Sequence, residues 1–209
     1  MPQSRGPGAR RAGRADPGGE DFRAAHPEAW TLSRVTGHDR DYGRNPYLGY
    51  DEAAAPLFDA PGDDPRLAPL ERIVAITGRT ETVAVLREAV ADRAVYTITL
   101  DGRLLVVWHR RGQASALDAE RVAAGRDIGT VAVFDPVVDA RRLSFRAATG
   151  TAPGDQPGDF VDRQTGTHWN VLGHAVDGPL AGRQLAAYPF IDTFWFTWVA
   201  FRPDTRLVR

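Results

Sequence analysis

Residues 95–108 read VYTITLDGRLLVVW, and the fold is decided there. Asp101-Gly102 separates two runs rich in β-branched and aromatic side chains. A two-residue type I′ turn needs positive φ at both central positions, and Asp-Gly supplies it. The stretch therefore predicts a hairpin with arms 95–100 and 103–108. The second arm is apolar without alternation from Leu104 to Trp108, so this strand is expected to be covered on both faces.

The same signals extend outward. Upstream, residues 72–77 (RIVAIT) and 81–86 (ETVAVL) flank Gly78-Arg79-Thr80 and predict another hairpin, followed by one or two helical turns over 87–92. Downstream, residues 115–124 (SALDAERVAA) read as a short helix or loop ended by Gly125, with Ser115 as its N-cap and Asp118 as a first-turn acid. Residues 130–134 and 142–146 are expected to form the next strand pair, followed by a Gly/Pro/Asp loop over 149–158. Residues 160–162 and 168–172 enclose DRQTG, an Asp-initiated turn closed by Gly166, which predicts a tight hairpin with a bulge. A further strand is expected around 183–187. Residues 193–201 (TFWFTWVAF) place Phe194, Trp195, Trp198 and Phe201 at helical spacing, favouring one amphipathic helix ended by Pro203 over the alternative, a buried strand.

The expected class is mainly β, α+β at the margin: a single compact domain of antiparallel hairpins over 60–209, with one or two short helices including an aromatic C-terminal one. Before it, residues 22–59 are punctuated by Gly, Pro and Asp and carry Tyr42, Tyr47 and Tyr50. They read as an irregular but ordered strap whose rings pack on a neighbouring surface. Residues 1–21, rich in Arg, Gly and Pro, cannot bury enough apolar surface to offset their ordering entropy and are expected to be disordered. The pair Arg10-Arg11 is no export signal, because no hydrophobic stretch follows it. There is also an internal echo. Residues 22–34 (FRAAHPEAWTLSR) resemble residues 198–209 (WVAFRPDTRLVR): an aromatic start, a basic-Pro-acidic step, then Leu and a final Arg. A genuine repeat would put a missing first copy upstream.

Composition excludes several chemistries. In 209 residues, 26 Lys+Arg against 27 Asp+Glu give a formal net charge of -1, so no global field draws the chain to nucleic acid or an anionic membrane. No apolar run approaches the ~18 residues that span a bilayer. Cys is 0, which removes disulfides, thiolate metal sites and a Cys nucleophile. Every basic residue is Arg, so Schiff-base and P-loop lysine chemistry are absent as well. No Walker loop, dinucleotide fingerprint, HExxH or EF-hand appears, and no cofactor is implied. As written, the chain reads as cytoplasmic; a truncated N-terminus would make it extracytoplasmic.

Three stretches carry a resemblance: 160–170 (FVDRQTGTHWN), 173–182 (GHAVDGPLAG) and 194–198 (FWFTW) with Pro203-Asp204-Thr205. Together they resemble the domain-of-unknown-function family 3179 (DUF3179), and the similarity runs over about residues 26–209. Residues 32–34 and 40–47 resemble the segment that follows a first copy in longer members. The resemblance implies no assigned activity, and an extracytoplasmic setting for those longer members. Many relatives carry Tyr-Cys-Pro-Leu-Cys-Gly-Ser after the hydrophobic strand. The matching region here is WHRRGQASA (108–116), both cysteines are gone, and His109 stands where the first would be.

His109, at a strand end, is thus the candidate base and the weak candidate metal ligand; a hydrogen-bonded strand-end residue is its ordinary reading. Ser115 and Asp118 complete a candidate catalytic set with it, although no Gly-x-Ser-x-Gly elbow surrounds the serine. Arg110 and Arg111 are candidate clamps for an anionic ligand, and Trp169 and Asn170 candidate pocket lining. His168 and His174 on one strand would stand about 20 Å apart, too far to share a metal unless the chain bends at Gly173. The expected function is a non-catalytic binding or interaction module. The alternative is a metal-binding protein or an enzyme acting on a small molecule around His109.

Overall fold

The computed structural model describes residue 23 and residues 26–30, 32–57, 64–148 and 159–209. The expected tail (1–21) and the 149–158 loop lie outside the described residues. In chain order the strands are β1 (Arg72–Thr77), β2 (Thr82–Leu86), β3 (Val95–Leu100), β4 (Arg103–Arg110), β5 (Thr130–Asp135), β6 (Val137–Val138), β7 (Arg141–Arg142), β8 (Phe145–Ala147), β9 (Phe160–Asp162), β10 (His168–Trp169), β11 (Ala175–Asp177), β12 (Ala186–Ala187), β13 (Ile191–Phe194) and β14 (Arg206–Val208). Helix α1 (Arg87–Arg93) follows β2, and helix α2 (Trp195–Val199) follows β13.

The hairpin at Asp101-Gly102 forms as its sequence dictates, with φ of 49° and 76° at the two turn residues and the register Leu100↔Arg103. Its second arm, β4, lies inside the four-stranded sheet β12-β5-β4-β3. Alternate residues of β4 serve different cores. Leu105 and Val107 pack with Val74, Ile76, Val83 and Val85 of the sheet β13-β1-β2-β14. Val106 and Trp108 pack with Phe145, Phe160 and Trp169 of the sheet β11-β10-β9-β8. The β4 sheet is therefore the middle of three layers, which is why β4 carries no polar alternation. Trp108 centres the second core, stacked on Phe160 (centroids 4.2 Å apart) and set edge-on to Phe145 at 5.0 Å. On the far side of the first sheet, α2 lays Trp195 and Trp198 over Ile73, Ala75 and Ala84.

Three local expectations are corrected or decided between alternatives. Residues 130–134 and 142–146 do not pair with each other. β5 joins β4 and β12, and β8 joins β9. Between them β6 and β7 close a small hairpin whose turn residues, Asp139 and Ala140, adopt φ of 49° and 59° without a glycine. Of the helix or loop expected over residues 115–124 the loop forms, with a 3-10 turn at Val122–Ala124 and Ser115 capping no helix. Their carbonyls are taken by the strap instead: Gly49 donates to Asp118, Asn45 to Glu120 through its backbone and to Ala119 through its side chain. Tertiary pairing has overridden local helix propensity. Finally, the aromatic C-terminal segment is divided. Phe194 ends β13 in an extended conformation, and the Trp195 and Phe196 amides, at 2.8 and 2.9 Å, donate to the Glu71 and Pro69 carbonyls, delaying the helix start. Phe201, the last residue of the expected stripe, is 75% exposed.

Candidate functional site

His109 continues the odd-numbered face of β4 beyond Val107, where the sheets part and a cavity of about 610 Å³ opens. Its walls come from five places: Asp51 and Glu52 of the strap, Glu71 and Arg72 at the start of β1, Arg87 and Glu88 of α1, His109 and Arg111 at the end of β4, and 126–128 before β5. His109 Nε2 lies 3.0 Å from the Ile128 carbonyl oxygen. A carbonyl only accepts, so Nε2 carries the proton and Nδ1 is left as the acceptor nitrogen. Burial pushes the His109 imidazole below its ordinary pKa, opposed by the Ile128 hydrogen bond and helped by Arg87. The ring is therefore neutral at neutral pH. Gly129, with φ of 67°, packs against it, and a Cβ there would run into the imidazole and the Arg110 carbonyl.

The cavity floor is a charge network. The Asp51 carboxylate is wholly buried, taking Arg72 at 3.0 Å and Arg126 at 3.6 Å, together with the Ser115 hydroxyl proton. Arg87, also buried, donates to Asp192 at 3.0 Å and to the Ile128 and Gly129 carbonyls. Burial lowers the Arg87 pKa and Asp192 opposes that shift. Asp127 receives the amides of Gly112, Gln113 and Gly129. Burial raises its pKa, but those donors outweigh it and hold the carboxyl below its usual range.

The candidates named from sequence separate in space. His109 and Arg111 share the cavity. Arg110, on the even face of β4, points the other way, 3.5 Å from Asp159. Ser115 is fully buried with its proton on Asp51, and it also accepts the Leu117 amide at 3.1 Å; it caps a turn rather than a helix. Asp118 accepts the Arg126 amide at 2.6 Å. Among the described residues no hydrogen bond joins Ser115 or Asp118 to His109, so the candidate catalytic set is not assembled. Trp169 is enclosed in the core with its Nε1 3.1 Å from Asp162. Asn170 braces the next turn through the Leu172 and His174 amides. Among the described residues no three His, Asp or Glu side chains are grouped as metal ligands would be.

The decisive cavity residues beyond His109 and Arg111 went unread in the sequence. Arg87 had a usable signal, standing directly after the apolar run 83–86 just as His109 stands after 104–108. Asp51 had none, since only the fold brings residue 51 to residue 115.

A protein family described as "Protein of unknown function (DUF3179)" matches residues 19–205. The chain belongs to the DUF3179 family. No curated protein and no solved structure matches this DUF3179 chain. No helix among the described residues is long and apolar enough to cross a membrane.

Proposed function

We propose that this DUF3179 chain is a binding module, and that it holds a small polar ligand with an acidic group in the cavity beside His109. The observation that carries the reading is Arg111. It lines the cavity, and among the described residues it has no carboxylate partner, whereas Arg72, Arg87 and Arg126 are all paired. An arginine fork without an anion, beside a neutral imidazole with one acceptor nitrogen, suits a carboxylate or phosphate that also offers a donor. The volume of about 610 Å³ suits a small molecule. The one hydroxyl considered as a nucleophile, Ser115, is fully buried with its proton on Asp51 and no hydrogen bond to His109.

Calorimetric titration with acetate, succinate, glutamate and inorganic phosphate tests this. At least one should bind, and Arg111→Ala should weaken it about tenfold, the size of one charge-assisted contact. Absence of binding across the series, or equal binding by the variant, overturns the reading. The second reading, catalysis with His109 as base, draws on the acceptor nitrogen that the Ile128 hydrogen bond leaves at Nδ1. It predicts turnover that His109→Gln abolishes while binding persists.

A further inference from the structure

The charged groups lining the cavity beside His109 are not all paired within the chain. Asp51 holds Arg72, Glu52 lies 3.3 Å from Arg126, and Asp127 is filled by backbone amides. Besides Arg111, three groups remain. The Glu71 side chain, half-buried immediately before β1, and the Glu88 side chain, exposed on the first turn of α1, both line the cavity. Among the described residues neither carboxylate has a hydrogen bond or an ion pair. The Glu71 backbone is fixed on both sides, its amide donating to the Ala68 carbonyl at 3.0 Å and its carbonyl accepting the Trp195 amide at 2.8 Å. Its carboxylate is thus presented from a rigid point. The third group is His109 Nδ1. The residue is only 7% exposed, and among the described residues this acceptor nitrogen has no donor.

Carboxylates outnumber guanidiniums five to four around this cavity, so a ligand carrying only negative charge would enter a wall already acidic overall. The groups left over are one cation and three acceptors, and acceptors call for N–H donors. Among the described residues Glu71, Glu88 and His109 are not grouped as the ligands of one metal ion would be. The charge on an organic amine is felt over a longer reach than a metal's coordination shell. We propose that the ligand is dipolar: a small acid that also carries a protonated amine, its anion on Arg111 and its ammonium drawn to Glu71 and Glu88, with His109 Nδ1 accepting an N–H. This narrows the binding reading above, on which it rests, from acids in general to zwitterions of the amino-acid kind.

Calorimetric titration of the full chain with matched pairs tests this: glutamate with glutarate, γ-aminobutyrate with butyrate, and phosphoethanolamine with ethyl phosphate. In at least one pair the amine-bearing member is expected to bind about tenfold more tightly, the size of one charge-assisted contact. Glu71→Gln combined with Glu88→Gln is expected to erase that preference, so that both members of the pair bind alike. Neither carboxylate is paired in the fold, so the double variant should melt within a few degrees of the parent. Acids that bind with no gain from the amine overturn the dipolar ligand and leave the anion-binding reading standing. A folded double variant that keeps the preference does the same. No binding by any member removes the binding reading itself, and the dipolar ligand with it.

Discussion

Gly129 is where backbone and site meet. Its positive φ and its contact with the His109 ring both forbid a side chain. Gly129→Ala should cost about 1–3 kcal/mol by urea denaturation and displace the imidazole from the Ile128 carbonyl. Asp51 is the complementary case, a buried acid holding two arginines and a hydroxyl. Asp51→Ala leaves Arg72 only the more distant Asp192 at 3.8 Å and the buried Ser115 hydroxyl without its acceptor, and should destabilise by about 3 kcal/mol, again read by urea titration. The His109 imidazole, with its pKa lowered by burial, gives a pH signature. The unfolded chain binds a proton near pH ~6.5 that the folded chain refuses, so stability is level above that point and falls as pH drops below it. His109→Gln keeps a donor for Ile128 and removes the titration. Its stability curve between about pH 6.5 and 5 should be flatter than the parent's, with His174, also lowered by burial, supplying what slope remains.

At the scale of elements, what was legible followed local chemistry. The Asp101-Gly102 hairpin, the 72–86 hairpin, the Asp162–Gly166 turn and the short helix α1 rest on residues within fifteen of one another. Asp162 shows why: its carboxylate takes the Thr165 amide at 2.6 Å and the Thr167 amide at 3.2 Å. The misread pieces depended on distant partners. No property of SALDAERVAA announces that residues 45–51 will claim its carbonyls, and the β6–β7 turn uses Asp-Ala where a reader looks for Asp-Gly. The site was legible only where it lay at a strand end. Asp101 also acts between elements, its carboxylate accepting the Arg79 and Thr80 amides and the Thr80 hydroxyl, so it clips one hairpin turn to another. Those donors, led by the Thr80 hydroxyl, bring its pKa down to about 2. The clip holds above the ordinary carboxylate range and is lost as pH falls through that value. Asp101→Ala should speed hydrogen exchange at Arg79 and Thr80 while leaving β4 amides protected.

Across the whole molecule, the layered arrangement ties three aromatic reporters to one backbone sheet. Trp108 and Trp169 lie in the core on one side of the middle layer, and Trp195 lies over the outer face of the first sheet. Both cores share β4, so one should not melt while the other stands. Near-ultraviolet and far-ultraviolet circular dichroism should therefore trace coincident thermal transitions; separated midpoints would show that the layers are independent. The shared strand has one more consequence. Trp108 and His109 are chain neighbours facing opposite layers, so inserting a single amino acid anywhere in the first half of β4 would swap the faces they present and bring Val107 into the core position of Trp108. An indole would then enter the cavity, and a valine would replace the tryptophan at the centre of the second core. Slippage along this one strand would therefore disrupt the core and the cavity wall in the same step.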